Sequence, residues 1–148
     1  MTLYLDTSVI SAMFDTRNPE RQEITKDFFS ARFDDKMLIS ELTILEIANT
    51  PDAQLRLEMQ RIVEQLEVVP LSEQVDQLSL RYIKGQAIAE AYSADAYHIA
   101  VAVIAKADMV VSWNFRHMVR RKTRDIVNMI NTMAGYPHIE IVAPGELL

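Results

Sequence analysis

The chain contains no cysteine among its 148 residues. Disulfide bonds, thiolate catalysis, cysteine-ligated zinc and iron–sulfur clusters are therefore excluded. Long apolar runs are missing too: the longest, residues 96–107, is interrupted by His98 and Lys106 and does not predict a membrane span. Near the amino terminus Asp6 and Asp15 interrupt any apolar segment of a secretory signal. We therefore expect a cytoplasmic protein with no membrane association.

Positive charge is also in short supply, with 15 Lys and Arg residues against 21 Asp and Glu residues. The net charge of −6 argues against broad electrostatic attraction to nucleic acid. Residues 116–124 are the exception, because they contain five cations and no acid: Arg116, Arg120, Arg121, Lys122 and Arg124. This basic strip is as compatible with phosphate binding as with a solvated helical face. Two nearby aromatic residues, Trp113 and Phe115, would either stack on bases or belong to the core or a pocket wall, and the second interpretation is favoured.

Apolar residues make up 49% of the chain, which is long enough for one domain, residues 1–148, with a sizeable core. Short segments of strand type occur at residues 3–5, 36–39, 67–69, 109–111 and 139–142. Segments with helical spacing lie between them. Candidate helix starts are marked by Asn18-Pro19, Ser40, Thr50-Pro51, Ser72 and Ser93. Strands separated by helices predict an α/β fold with a mainly parallel sheet of about five strands and helices on both faces.

Three carboxylates occur where an apolar element meets a polar cap. Asp6 follows the first predicted strand, and Glu46 and Asp95 lie early in predicted helices. Asn114 follows the fourth strand. Because ligands of open α/β sheets bind beyond the carboxyl ends of the strands, these four residues could gather in one pocket. Carboxylates held close together repel one another, and Mg²⁺ or Mn²⁺ relieves that repulsion, so the pattern predicts a metal site suited to phosphate chemistry.

Each of these acids also has a purely structural interpretation. Asp6 could cap a helix, and Glu46 could be an exposed helical acid. Asp95 in the first turn of a helix suits the helix dipole without any further role. His98 lies three residues after Asp95 and could form a metal or acid–base pair with it. A hydrogen-bonded place at the edge of the core is the favoured interpretation of His98.

Four segments of the chain carry a recurring pattern of acidic and polar residues. The segments are Tyr4-Leu5-Asp6-Thr7-Ser8, Ser40-Glu41-Leu42-Thr43 with Glu46, Asp95-Ala96-Tyr97-His98-Ile99-Ala100, and Asp108-Met109-Val110-Val111-Ser112-Trp113-Asn114. Single segments of this kind are unspecific, but all four in this order and at this spacing are a specific pattern that runs nearly end to end. Together they resemble the PIN-domain family of metal-dependent ribonucleases, which includes the VapC-type toxins of toxin–antitoxin pairs.

The resemblance implies a three-layer α/β/α sandwich and an endoribonuclease site. Asp6, Glu46 and Asp95 fall on acidic positions of the family's pocket, where they would hold Mg²⁺ or Mn²⁺ so that metal-activated water hydrolyses RNA phosphodiester bonds. Asn114 stands at the fourth acidic position of that pocket and completes the expected catalytic set without adding a charge. The expected substrate-binding residues are Ser8, Arg116, Arg120 and Arg121.

Partners follow from the same resemblance: an RNA substrate, a small antitoxin protein that covers the site, and a homodimer. A rival interpretation is a PIN-like module that binds RNA or protein without turnover, which Asn114 favours and the three carboxylates oppose. Phosphotransfer enzymes fit less well. A haloacid-dehalogenase-like phosphatase needs an aspartate where Ser8 stands, and a receiver-type site needs one after the third strand, where Val68-Val69-Pro70 supplies none.

Overall fold

The computed structural model describes all residues from Met1 to Leu148. Its five strands are β1 (Thr2–Leu5), β2 (Lys36–Ser40), β3 (Glu67–Val69), β4 (Met109–Val111) and β5 (Glu140–Val142). Its seven α-helices are α1 (Thr7–Ala12), α2 (Pro19–Ala31), α3 (Glu41–Ala48), α4 (Ala53–Val63), α5 (Glu73–Lys84), α6 (Ser93–Ile104) and α7 (Arg121–Ala134). Two short 3₁₀ turns, Glu90–Tyr92 and Pro144–Leu147, complete the chain.

The five strands form one sheet in the order β3-β2-β1-β4-β5, and every neighbouring pair is parallel. The first strand of the chain is thus the central one. In β1, Tyr4 is in register with Leu38 of β2 on one side and with Val110 of β4 on the other. The predicted parallel sheet of about five strands is confirmed.

The helices divide into two layers because the chain crosses the sheet in two directions. The connections from β1 to β2 and from β2 to β3 run one way and contain α1 to α4, whereas those from β3 to β4 and from β4 to β5 run the other way and contain α5 to α7. Right-handed crossovers in opposite directions place their helices on opposite faces. In agreement, α1 and α3 pack against α4, whereas α5 packs against α6 and α7. The three-layer sandwich is confirmed.

Helix α6 lies at the centre of its layer and is buried along most of its length. Its buried residues include His98 and a nearly continuous apolar run, Ile99 to Val103. This burial explains why α6 carries Ala and Val on most of its faces, as a central helix should. None of the helices combines the length and the apolar character that crossing a membrane requires.

The predicted helix caps are only partly those that form. The Ser72 side chain caps α5 by accepting the Val75 N–H over 3.3 Å, as predicted. Ser40 occupies the N-cap position of α3 but makes no capping bond, because its hydroxyl instead lies 2.8 Å from the Tyr4 hydroxyl. The α4 cap is Asp52, which the Thr50-Pro51 signal missed by one residue. Ser93 is the first residue of α6 rather than its cap, because the 3₁₀ turn Glu90–Tyr92 leads directly into that helix.

Strands β1 and β4 are neighbours whose following segments diverge. The chain passes from β1 into α1 on one face, whereas the helix that follows β4 is α7 in the other layer. Such a reversal opens a crevice at the carboxyl ends of the two strands, which is where open α/β sheets bind ligands. Asp6 follows β1 and Ser112 follows β4, so both lie at this crevice.

Candidate active site

Asp6 is fixed in the crevice by hydrogen bonds to both of its carboxylate oxygens. Its side chain is buried, with 4% of its surface exposed. Oδ1 accepts the Ser8 N–H, which makes Asp6 the N-cap of α1. Oδ2 accepts the Ser112 hydroxyl over 2.6 Å. The capping interpretation is therefore correct, and it leaves the carboxylate held at the junction of β1 and β4.

Asp95 approaches the same place from the first turn of α6. Asn114 Nδ2 donates to Asp95 Oδ2 over 3.1 Å, and the Asn114 N–H donates to Ser112 Oγ over 2.9 Å. Ser112 and Asn114 therefore form a bridge between the two carboxylates. Burial raises the pKa of Asp95, and the negative charge of Asp6 raises it further. The negative charge of Asp6 is thus near enough to oppose the ionisation of Asp95.

Glu46 belongs to a second hydrogen-bonded chain through the core edge. Its Oε1 lies 2.6 Å from His98 Nε2 and accepts the Thr7 hydroxyl over 2.8 Å. The other imidazole nitrogen, His98 Nδ1, lies 2.7 Å from the Tyr4 hydroxyl. His98 is therefore paired with Glu46 and Tyr4, which agrees with its favoured role at the core edge.

The pairing of Glu46 with His98 favours their charged forms. Burial alone would lower the pKa of His98, but the hydrogen bond and negative charge of Glu46, with Asp6 and Asp95, leave it raised. Burial alone would likewise raise the pKa of Glu46, but the hydrogen bond and charge of His98 leave it lowered. Burial dominates at Tyr4 and raises the pKa of its phenol, so this hydroxyl stays protonated.

The acidic residues do not form a three-carboxylate cluster. Across the whole chain, no group of three or more Asp, Glu or His side chains is arranged to hold a metal ion. Asp6 and Asp95 are brought together, while Glu46 Oε1 is engaged by His98 and Thr7. Glu46 Oε2 takes part in neither bond. The donor set that fits a cation is therefore the Asp6–Asp95 pair, whose mutual repulsion a divalent ion would relieve.

Residues 3–117 match the family model of the PIN domain. The chain belongs to the PIN-domain family. The matched region contains all of β1 except Thr2, the strands β2 to β4, and all the residues of the Asp6–Asp95 and Glu46–His98 groups. Helix α7 and β5, which complete the sheet and one helical layer of this PIN domain, lie beyond it.

A solved structure has the same fold as this PIN domain. The crystal structure of VapBC2 from Rickettsia felis bound to a DNA fragment from their promoter contains a chain that superposes with a TM-score of 0.64. The alignment covers 97% of this chain and 98% of that one at 10% sequence identity, so the likeness concerns the fold alone. Comparison with curated proteins gives no significant match to the sequence.

The expected substrate-binding residues of the PIN domain differ in their surroundings. Ser8 Oγ accepts the Trp113 N–H over 2.9 Å and so ties α1 to the loop after β4. Arg120 donates to Thr123 Oγ1 and to the Ala87 carbonyl, which anchors the start of α7. Arg121 faces Asp125 at 3.6 Å on an exposed surface, and Arg116 is exposed in the loop beyond Asn114. The basic strip is therefore divided between a loop and α7.

Trp113 is buried and contacts helix α2. Its ring is 9% exposed, its Nε1 donates to Thr25 Oγ1 over 2.9 Å, and the Arg21 guanidinium lies 4.8 Å from its ring. Phe115 packs edge-on against Trp113 and remains half exposed. Trp113 is therefore a core residue, which agrees with the favoured interpretation of it as core or pocket wall.

Sequence reasoning missed the residues that orient the acids of this PIN domain. Ser112 holds Asp6 and Asn114, and Thr7 holds Glu46. A polar residue directly after a buried strand was the available signal for Ser112, because it reaches the same sheet edge as Asp6. No signal marked the stack of Tyr92 on His117, whose ring centroids are 3.8 Å apart.

Proposed function

We propose that this PIN domain is a metal-dependent endoribonuclease that hydrolyses RNA phosphodiester bonds. The observation that carries the proposal is the Asp6–Asp95 pair at the carboxyl ends of β1 and β4, where the negative charge of Asp6 raises the pKa of Asp95. Repulsion between two acids held this close lowers the stability of the fold unless a cation binds to them. Membership of the PIN-domain family supports nuclease chemistry at this place.

Mg²⁺ or Mn²⁺ is the cofactor that the donor chemistry fits, because both ions prefer carboxylate oxygens. Asp6 and Asp95 would hold it, with Glu46 contributing through Oε2 or through water. When bound, such an ion supplies a Lewis acid for the phosphate and a water of lowered pKa. The amide of Asn114 brings no charge, so a second tightly held ion is not required by this set.

The residues around the acids keep them in position for that chemistry. Ser112 orients the Asp6 carboxylate, and Asn114 orients that of Asp95. His98, buried and bonded to Glu46, holds the third acid in place, and this pairing raises the pKa of the imidazole. The approaching phosphate of RNA is anionic, so an exposed cation near the site favours its arrival. Arg116, two residues beyond Asn114, is our candidate for this contact.

The partners proposed for this chain are a small antitoxin protein and a second copy of the chain, which would make it the toxin of a type II toxin–antitoxin pair. Support comes from the fold it shares with the VapBC2 structure. A second candidate function is a PIN module that binds RNA or protein without turnover. Asn114, where the family pattern has an acid, favours that alternative.

Cleavage of a mixed RNA pool by the purified protein, with Mn²⁺, Mg²⁺ or EDTA, tests the proposal. We expect cleavage that needs metal and that Asp95→Asn reduces by at least a hundredfold, because one metal-binding charge is lost while the oxygen that accepts the Asn114 amide remains. Asp6→Asn should behave in the same way. Asp34→Asn, an exposed acid between α2 and β2, is the matched control and should keep full activity.

The outcomes separate the two candidate functions. Equal cleavage by the wild type, Asp6→Asn and Asp95→Asn would show that another nuclease is present. Metal binding without any cleavage would favour the binding module. Calorimetric titration with Mn²⁺ gives the readout that does not depend on turnover, and its heat should vanish in Asp6→Asn but not in Asp34→Asn.

A further inference from the structure

Tyr92 and His117 form an aromatic stack that none of the roles described above uses. Their ring centroids lie 3.8 Å apart and the ring planes are inclined by only 22°. Tyr92 is 46% exposed, and His117 is partly exposed. Two rings packed face to face at the surface leave aromatic area open to solvent. We call this ring pair the stacking platform.

Both rings of the stacking platform are connected to Asp95. Tyr92 is the N-cap residue of α6 and Asp95 is its third residue, so the two lie about 4.5 Å apart along the helix axis on neighbouring positions of the same turn. The His117 N–H donates to Asn114 Oδ1 over 3.0 Å, and Asn114 Nδ2 donates to Asp95. Asn114 thus joins the loop that carries one ring to the helix that carries the other.

Packing against the core does not explain why nearly half of the Tyr92 surface is exposed. The interior aromatic residues near the site are buried, as Tyr4 and Trp113 are, whereas Tyr92 spends almost half of its surface in water. The platform is flanked by both signs of charge, with the exposed Glu90 in the same 3₁₀ turn and the exposed Arg116 beside His117. It is therefore an aromatic surface whose sequence neighbours include an exposed acid and an exposed cation.

We propose that the stacking platform binds a nucleobase of single-stranded RNA next to the phosphodiester held at Asp6 and Asp95. This inference rests on the proposed function, because it places the substrate in the same site. A base stacks on an aromatic ring through its π-face, and Arg116 would meet the negative backbone beside it. Because every base offers a π-face, the platform accepts any base and does not read a sequence. Larger bases cover more of the ring and are therefore favoured. A base paired within a duplex cannot reach it.

The test compares the binding of short fluorescein-labelled oligo(A) with that of an abasic ribose-phosphate strand of equal length. Anisotropy is read both in EDTA and with Ca²⁺ in place of the catalytic ion. Tyr92→Leu should weaken oligo(A) binding by about 5- to 150-fold, the range expected for one lost base–aromatic stack. Binding of the abasic strand should not change. Tyr92→Phe keeps the ring and should bind like the wild type.

Phe33→Leu is the matched control, because Phe33 is a more exposed aromatic residue between α2 and β2, at the opposite edge of the sheet. Circular dichroism melting of Tyr92→Leu checks that the fold is kept. The proposal that the platform binds a base would be contradicted if Tyr92→Leu and Phe33→Leu bound oligo(A) equally well. It would also be contradicted if the wild type bound no oligo(A) in either condition. Cleavage of the RNA pool, measured in parallel, decides the ribonuclease separately, since it can persist when the platform fails.

Discussion

Asn114 Nδ2 donates a hydrogen bond to Asp95 Oδ2 over 3.1 Å, so the uncharged residue at the pocket edge stabilises its acidic neighbour. An aspartate at residue 114 would be unable to donate this bond. It would instead face Asp95 as a third negative charge beside Asp6. Asn114 therefore relieves part of the charge conflict that Asp6 imposes on Asp95.

Asn114→Asp should make the protein more dependent on metal. Losing the hydrogen bond and adding a like charge should lower the free energy of unfolding by about 1–3 kcal/mol in EDTA. Saturating Mn²⁺ should then raise the melting temperature of Asn114→Asp by more than it raises that of the wild type, because an additional ligand binds the ion. Differential scanning fluorimetry measures both shifts. An equal or smaller Mn²⁺ shift in the variant would contradict this account of Asn114.

The His98–Glu46 pair should be coupled in a double-mutant cycle. His98→Ala removes a buried ring and one of the two hydrogen-bond partners of both the Tyr4 hydroxyl and Glu46 Oε1, which should cost about 3 kcal/mol of unfolding free energy. Glu46 is about one-third exposed, so water screens part of its attraction to His98. We therefore expect the double variant with Glu46→Ala to cost about 1 kcal/mol less than the sum of the single costs. Additive costs in urea unfolding would show that the pair is not coupled.

For Tyr82 and Asn131, we expect a double variant to be more stable than one of its single variants, although it removes more contacts. Both are fully buried between α5 and α7, and the Tyr82 hydroxyl donates to Asn131 Oδ1. Tyr82→Phe should cost about 1–2 kcal/mol because that oxygen then lacks a partner. Asn131 Nδ2 already lacks one. Adding Asn131→Leu removes both polar atoms, so the double variant should be more stable than Tyr82→Phe in chemical unfolding.

Alkaline titration should leave two of the five tyrosines protonated while the protein is folded. Burial raises the pKa of Tyr4 and Tyr82 well above the ordinary 10.0. A raised pKa in the folded state contributes stability that is fully present below about pH 10 and is lost as the pH rises beyond it. The absorbance of tyrosinate at 295 nm should therefore rise in two stages, the second coinciding with unfolding seen by circular dichroism. A single reversible rise for all five tyrosines would contradict the burial of these phenols.

The sequence was sufficient to predict the order of strands and helices because apolar segments and turn residues are local signals. Asp6 and Asn114 could be assigned to one sheet edge for the same reason, since each follows a buried strand directly. The hydrogen-bond partners could not be predicted. His98 reaches Tyr4 across 94 residues of sequence and Glu46 across 52. Such pairings depend on how helices in different segments pack, which composition and spacing do not specify.

Competition for a polar group explains two differences between the local sequence pattern and the structure. The Ser40 hydroxyl was expected to cap α3, but the buried Tyr4 hydroxyl takes it, because an unpaired phenol in the core is more costly than an uncapped N–H near solvent. One of the two interpretations of the basic strip, a solvated helical face, does not describe Arg120, whose guanidinium donates to Thr123 and Ala87. In both cases the local pattern identified the right residue type but not the partner that binds it.

The central position of β1 delays completion of the candidate site during synthesis on the ribosome. Ser112, which orients Asp6, is synthesised 106 residues after it. At about 5–20 residues per second, roughly 5–20 s pass between the two. During that interval the middle strand of the sheet has only one of its two neighbours, and the pocket cannot close. A nascent chain stalled just before residue 112 therefore carries all three acids of the site but neither Ser112 nor Asn114, which orient two of them.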